Sequence, residues 1–205
     1  MSFTRWRVAL FRLGQLVLGF VLLAHPPASA ADTKQTYAID GAGLASCKRY
    51  ATAAEKESRD YFIFVGWIDG YLTAMNRENT ETYDLTPWQT TQTLADTLAA
   101  FCENHPNEKF ASAVQRLANT LYAERLREAS KVMAVRRKDR TVLIYESVLD
   151  DLAEELIKNG YLEDTEGGRY DEDLERALKR FQREQGIKVS GIPDQATLAR
   201  IFRTD

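Results

Sequence analysis

Few side chains in this sequence could support catalysis. Its 205 residues include two cysteines, Cys47 and Cys102, and two histidines, His25 and His105. Zinc hydrolases commonly use two or more histidines, or histidine with carboxylate, around the metal. A nucleophilic cysteine must be a free thiolate, and the Gly-x-Ser-x-Gly and Ser-x-x-Lys motifs of serine nucleophiles are both missing. The sequence therefore predicts no metal site, no cofactor and no nucleophilic catalysis.

Paired carboxylates are the remaining candidates for acid–base chemistry. Asp150-Asp151, Glu154-Glu155 and Asp171-Glu172-Asp173 could serve as the two acids of a lysozyme-type hydrolase. They fall on the exteriors or at the starts of predicted helices, where solvated carboxylates are common. We therefore predict that the protein is not an enzyme, and keep a glycoside hydrolase as an alternative.

The first thirty residues have the order of a secretory signal. A start with three arginines and no acidic residue precedes an apolar run from Leu13 to Ala24, followed by Pro26-Pro27 and Ala28-Ser29-Ala30. A membrane anchor is disfavoured because the apolar run is shorter than the ~20 residues that span a bilayer. We expect a signal peptide at residues 1–30, export to the periplasm, and no membrane attachment of the mature chain.

Removal of that segment leaves an acidic chain. The signal takes three of the 27 basic residues with it, so 24 remain against 30 acidic ones, a net charge of −6. Proteins that bind nucleic acids normally show a basic footprint. We therefore predict no nucleic-acid partner.

A step in charge divides the mature chain. Residues 31–142 carry 15 basic and 15 acidic side chains, whereas residues 143–205 carry 9 and 15. Such a step marks a candidate boundary between two domains with those ranges. Four basic residues crowd together before it: Arg136, Arg137, Lys138 and Arg140. We interpret them as a solvated helix end, with a contact to an anionic polymer as the alternative.

The first domain is predicted to be helical, because its apolar residues recur at helical spacing between residues 64 and 75. A second helix is expected to begin at Thr86-Pro87. In an exported chain two cysteines favour a Cys47–Cys102 bridge, with two buried thiols as the alternative.

The first domain has an early cysteine, Cys47, a helix that contains Trp67-Ile68-Asp69-Gly70-Tyr71, and Cys102 followed by Pro106. In these features it resembles a group of small exported helical domains. That group includes acid-stress chaperone-like and secretion-immunity-like proteins. The resemblance covers roughly residues 44–125. It implies an all-helical, disulfide-tied domain without supplying a function, and we expect a protein partner of unknown identity for it.

The second domain is predicted as three helices. Asn159-Gly160 ends the first, Asp171 caps the second, and Asp194 caps the third. Between the last two helices, Gly191 permits a turn after Val189. The predicted fold class is therefore all-α, with a disulfide-tied helical domain followed by a three-helix domain.

An ordered set of residues runs through this second domain at fixed spacing: Gly160-Tyr161, Gly168, Tyr170, Ala177-Leu178, Phe181-Gln182, Gly186-Ile187, Val189, Gly191, Asp194 and Thr197-Leu198. The set resembles the peptidoglycan-binding domain found in many cell-wall hydrolases and exported bacterial proteins. The resemblance implies non-catalytic binding of wall glycan or of its peptide stems. Asp171 in place of a common Gly, and Leu174 in place of a common Thr, depart from the family pattern, which bears on ligand binding more than on fold.

The acidic charge of this domain makes long-range attraction to an anionic wall unfavourable. Affinity is therefore expected from hydrogen bonds and aromatic contacts. The candidate ligand contacts are Tyr161, Tyr170, Gln182, Ser190 and Asp194. Each has a structural alternative: the tyrosines as core residues, Gln182 and Asp194 as caps, and Ser190 as a turn residue.

The predicted function is thus that of an exported, non-catalytic protein that binds peptidoglycan and carries a helical interaction domain. One alternative is a structural or chaperone- or immunity-like periplasmic protein without wall binding. The other is a cell-wall hydrolase.

The signal prediction has a direct test. Because the basic, apolar and small-residue segments end at Ala30, N-terminal sequencing of exported protein should begin at Ala31. A mature protein that retains the apolar run would contradict the predicted compartment and the disulfide argument that depends on it.

Overall fold

The computed structural model describes residues 36–163 and 169–202, so the predicted signal peptide and Gly168 lie outside the described residues. The elements below belong to one compact unit, residues 39–205. Within the described residues the chain forms seven helices and two strands: α1 (Cys47–Glu55), α2 (Arg59–Glu78), α3 (Thr91–Asn104), α4 (Phe110–Leu121), β1 (Val132–Arg137), β2 (Arg140–Tyr145), α5 (Glu146–Lys158), α6 (Glu172–Glu184) and α7 (Gln195–Phe202). None of these helices combines the length and the apolarity needed to cross a membrane.

Helices α1 to α4 enclose the first hydrophobic core around three aromatic rings. The Tyr50 ring lies 4.6 Å from that of Phe110 and 5.2 Å from that of Phe64, between ring centroids. The Tyr50 hydroxyl donates a hydrogen bond of 2.7 Å to the carbonyl of Ala95. Burial raises the pKa of this hydroxyl above its ordinary value. The neutral phenol therefore adds a polar anchor to an otherwise apolar core.

The predicted Cys47–Cys102 disulfide is present and completely buried in this core. It joins the start of α1 to the end of α3, with Cα atoms 4.7 Å apart across a sequence separation of 55. The alternative of two free thiols does not hold. A closure of this length contributes about 2–4 kcal/mol by restricting the unfolded chain.

Helix α3 begins later than the expected start at Thr86-Pro87. Its cap is Thr90, whose hydroxyl accepts a hydrogen bond of 3.2 Å from the Thr93 amide. Thr86 instead donates from its amide to the Asp84 carboxylate at 2.9 Å. This local side-chain bond competes with helix formation and delays the start of the helix.

The all-α prediction is wrong in one place, because β1 and β2 form an antiparallel hairpin. Arg137 pairs with Arg140 across the two-residue turn Lys138-Asp139. Val135 and Ile144 are buried, at 2 % and 4 % exposure, and side chains of the opposite face are exposed. The basic cluster therefore lies at the tip of a hairpin and not, as the sequence suggested, at a helix end.

The hairpin packs into a second hydrophobic core together with α5, α6 and α7. The predicted domain boundary after residue 142 falls inside β2. The second core includes residues of both strands, and the limits of the second domain stay a prediction. In this second core, the end of α5 and the start of α6 are those expected. Helix α5 stops just before Asn159-Gly160, and the Asp171 carboxylate caps α6 by accepting from the amides of Asp173 and Leu174 at 3.0 and 2.9 Å.

The segment between α2 and α3 contacts the second core. The Trp88 carbonyl accepts a hydrogen bond of 3.0 Å from the side-chain Nε2 of Gln195, at the start of α7. The rings of Trp88 and Phe202 lie 5.6 Å apart. The Tyr145 hydroxyl donates to Asp84 at 3.2 Å, and burial, with this carboxylate nearby, raises the pKa of Tyr145 to about 12. The two cores are thus joined by specific bonds as well as by the chain.

The contribution of the hairpin to the second core can be measured with adjacent residues. Ile144→Ala should lower the free energy of unfolding by about 2–5 kcal/mol, because it opens a cavity beside α5. Leu143→Ala, at a position that is 70 % exposed, should change it by less than about 0.5 kcal/mol. Urea unfolding followed by circular dichroism gives both values. Equal effects at the two positions would show that the hairpin is not part of the core.

Candidate functional site

The loop between α6 and α7 is held from beneath by one amide side chain. Gln182 is completely buried. Its Oε1 accepts from the backbone amides of Ser190 and Gly191 at 2.9 and 2.8 Å. Its Nε2 lies within hydrogen-bond distance of the Ile192 carbonyl at 3.0 Å and of the Thr197 hydroxyl at 2.8 Å. The amide therefore uses its full bonding capacity inside the protein.

Three other predicted contact residues hold the same loop. The Tyr170 hydroxyl donates to the Gly191 carbonyl at 2.8 Å. The Ser190 hydroxyl donates to the Asp194 carboxylate at 2.9 Å. The same carboxylate caps α7 by accepting from the amide and hydroxyl of Thr197, at 3.2 and 2.7 Å. The structure thus gathers four of the five candidates into one hydrogen-bonded network.

Gly191 lies at the centre of this network and is favoured there by its backbone conformation. Its φ of +73° lies in the left-handed region that side chains disfavour. A Cβ atom there would lie 2.8 Å from Lys179 Cε and 3.1 Å from Glu175 Cγ, so these flexible side chains of α6 would have to shift to admit it. The predicted turn at Gly191 is confirmed, and its main cause is the backbone conformation.

The network changes how the candidate residues are interpreted. A direct ligand contact by Gln182 is not favoured, because its side chain has no exposed surface. Its role is to position the loop rather than to cap a helix. Contacts by Tyr170, Ser190 and Asp194 stay predictions, since each is partly buried and already bonded within the protein.

Two residues of the network were not anticipated. Thr197 is a buried polar residue three positions after the Asp194 cap, a spacing that could have indicated its role. Arg140 donates to the Asp194 carboxylate at 3.2 Å from 54 residues away, which no local pattern reveals.

Tyr161 takes no part in the network and lines a cavity of about 430 Å³. Its ring stands edge-on to Phe181 with 5.3 Å between centroids, and the Arg180 guanidinium lies 5.3 Å from the Tyr161 ring. Its hydroxyl donates to the Glu184 carboxylate at 2.8 Å, which is the main cause that raises the pKa of this tyrosine. The other lining residues are Leu162, Glu163, Asp173, Arg176 and Ala177. We call this cavity the Tyr161 cleft.

The carboxylates of α5 line a different cavity of about 300 Å³. Asp151, Glu154 and Glu155 face it beside Trp88 and Phe202. Partial burial, and then the charges of Glu154 and Asp150, raise the pKa of Asp151. The acidic residues Asp171, Glu172 and Asp173 lie elsewhere, at the cap and in the first turn of α6. Among the described residues, no group of three or more His, Cys, Asp or Glu side chains is arranged to hold a metal ion.

Comparison with known families identifies the second core. Residues 149–201 match the model of a family described as a putative peptidoglycan binding domain. The match runs from α5 to α7, includes the Gln182 network and the Tyr161 cleft, and leaves out the hairpin and the first core. Comparison with curated proteins and with solved structures gives no match. The resemblance seen in the sequence is therefore confirmed for the C-terminal part of the chain.

The importance of the buried amide can be tested on one helix. Gln182→Ala should lower the free energy of unfolding by about 2–4 kcal/mol, because it leaves the Ser190 and Gly191 amides without their acceptor. Gln185→Ala, at the end of the same helix and partly exposed, should have a much smaller effect. Urea unfolding of both variants gives the comparison. Similar losses at the two positions would mean that the loop does not depend on Gln182.

Proposed function

We propose that this chain is an exported protein that binds bacterial peptidoglycan without catalysing its cleavage. The single observation that carries the proposal is the family match over residues 149–201. The Gln182 network, which holds the loop between α6 and α7, and the Tyr161 cleft both lie inside that range. Cleavage after Ala30 would place the mature chain in the periplasm.

The Tyr161 cleft is the surface that best suits the wall polymer. Its volume lies within the usual range of ligand pockets, about 300–1,000 Å³. An aromatic ring can pack against a sugar ring, while Arg176 and Arg180 supply hydrogen-bond donors beside it. All seven lining residues fall inside the matched range. A neutral glycan binds such a surface through short-range contacts, which agrees with the acidic charge of the domain.

A protein partner of the first domain is the second part of the proposal. Three large apolar side chains are exposed near the start of that domain: Leu44 at 60 %, Phe62 at 67 % and Ile63 at 57 %. Leu44 and Ile63 line a common cavity of about 350 Å³. Exposed apolar surface of this kind is typical of interaction sites. A chaperone-like or immunity-like role would use the same surface.

A cell-wall hydrolase is the competing function, and the Asp151 cavity is where it would reside. A carboxyl group with a raised pKa beside a second acid is the arrangement of a general acid. Zymography on peptidoglycan-containing gels, with Asp151→Asn as the control, separates this function from binding alone. Clearing that disappears in the variant would replace the proposal with catalysis.

Binding is tested by sedimenting the full chain with purified sacculi. Tyr161→Ala should lower the affinity by about two- to tenfold, the value of one aromatic contact. Tyr161→Phe keeps the ring and should retain most of the binding. Tyr122→Ala, which removes a partly exposed tyrosine outside the matched range, is the matched control. Circular dichroism establishes that each variant is folded.

The outcomes of that experiment distinguish two questions: whether the chain binds peptidoglycan at all, and whether it binds through the Tyr161 cleft. A wild-type chain that does not sediment above background would contradict peptidoglycan binding itself. A wild-type chain that sediments as well as its Tyr161→Ala variant would move the binding surface elsewhere on the domain.

A further inference from the structure

A second cleft lies where the tip of the hairpin meets the loop held by Gln182. It has a volume of about 380 Å³. The hairpin contributes Arg137, Lys138, Asp139 and Arg140, α6 contributes Lys179, and the loop contributes Lys188, Val189, Ser190 and Ile192. We call it the hairpin cleft. Its hairpin wall lies outside residues 149–201, so the family match does not account for it.

The hairpin cleft is positively charged although the domain around it is acidic. Glu175 forms ion pairs with Arg137 and with Lys179, and Asp194 forms one with Arg140. These two carboxylates and Asp139 face five cations, which leaves two positive charges in excess. Lys138 and Lys188 are exposed, and no acceptor for either is found within the described part of the chain. The excess charge is thus carried by two lysines on opposite walls.

Both walls of the hairpin cleft are held in place. The Arg137 guanidinium forms two parallel hydrogen bonds to the Glu175 carboxylate, of 2.8 and 2.9 Å, and these fix the hairpin against α6. The opposite wall is fixed by the Gln182 bonds to Ser190. The backbone that carries Lys138 and Lys188 is therefore held in place, which lowers the cost of ordering the two walls when a ligand binds.

Lys138 occupies a backbone conformation that does not favour it. Its φ is +51°, in the left-handed region where glycine or asparagine is preferred. Its ammonium group brings a positive charge to the hairpin side of the cleft. The turn itself would accept glycine, so this charge can be removed without disturbing the backbone.

We infer that the hairpin cleft is a binding site for carboxylate groups on the peptide stems of the wall. This inference rests on the proposed function. Two lysines from opposite walls can each pair with a carboxylate on a short extended peptide, and exposed Val189 offers an apolar contact between them. The Tyr161 cleft holds glycan, and the hairpin cleft holds peptide. Two sites on one domain would together strengthen attachment to a polymer that presents both groups repeatedly.

The chemistry of the lining favours peptide over sugar. None of the residues that line the hairpin cleft is aromatic, so a sugar ring has no flat surface to stack on. A neutral glycan gains nothing from the two uncompensated lysines, whereas a carboxylate pairs with each of them. Lysine ammonium groups also act as point charges that accept a carboxylate in many orientations.

The variants for the test use the turn conformation. Lys138→Gly removes the charge and relieves the left-handed strain, so its melting temperature should stay the same or rise. Lys188→Gln removes the other charge from an exposed position. Lys48→Gln with Lys56→Gln, two exposed lysines of α1 and its cap, changes the net charge equally outside the cleft and serves as the control.

The full chain is titrated with purified sacculi. Each cleft variant should lower the affinity about two- to fivefold, as expected for an exposed ion pair, and the two effects should multiply in the double variant. The carboxylates of the sacculi can also be converted to neutral amides. The affinity of the wild type for these amidated sacculi should equal the affinity of the double variant for untreated sacculi. Salt at about 0.5 M should have the same effect through screening. The control variant should bind as the wild type does.

The inference fails if the folded double variant binds untreated sacculi with the wild-type affinity, or if amidation changes nothing. It also fails if binding falls after phosphate-containing polymers are removed from the sacculi and not after amidation, because the bound anion is then a phosphate. A wild type that never sediments overturns the proposed function and this inference together. Loss of binding in Tyr161→Ala with an unaffected double variant overturns this inference alone.

Discussion

The arrangement of the second core depends on the hydrogen bonds of one buried amide. Gln182 lies on the buried face of α6, where an unpaired amide would cost several kcal/mol. Its bonds are satisfied only when the backbone of Ser190 and Gly191 passes directly above it. The same requirement places Thr197, and with it the first turn of α7. A single polar residue thus specifies the path of a loop and the position of a helix, because every alternative path leaves the amide unsatisfied.

The hairpin, which lies outside the residues matched by the family, is tied to the same loop by ion pairs. Arg137 and Arg140 reach Glu175 and Asp194, which lie on either side of the Gln182 loop. Both carboxylates are mostly buried, at 16 % and 13 % side-chain exposure, whereas the arginines stay more exposed. Charges that would otherwise repel one another at the hairpin tip are thereby partly neutralised. The remaining charge belongs to Lys138 and Lys188, for which the described part of the chain shows no acceptor, and this is why the hairpin cleft is a candidate for binding.

Most local features of the second core were predictable from the sequence, whereas contacts between distant residues were not, apart from the Cys47–Cys102 bridge. The Asp171 cap, the end of α5 and the Gly191 turn follow from interactions within a few residues. The hairpin was missed because a two-stranded hairpin is at best marginally stable alone, and this one is formed by packing on α5 to α7. Its run of four basic residues suggests a helix end, whereas the alternation of Val135 and Ile144 with more exposed neighbours is the signal that indicates strands.

The candidate site shows the same division. The sequence indicates five candidate contacts, Tyr161, Tyr170, Gln182, Ser190 and Asp194, and the structure joins the last four, but as a network that holds a loop. Spacing reports that residues must be near one another and does not report whether they bind a ligand or each other. Burial decides between the two, and it depends on the whole core. Lys138 and Lys188, which are exposed and form no side-chain bond among the described residues, are therefore better candidates for binding than the residues of the network. Tyr161 is partly buried and bonded to Glu184, and it stays a candidate because it lines a cleft.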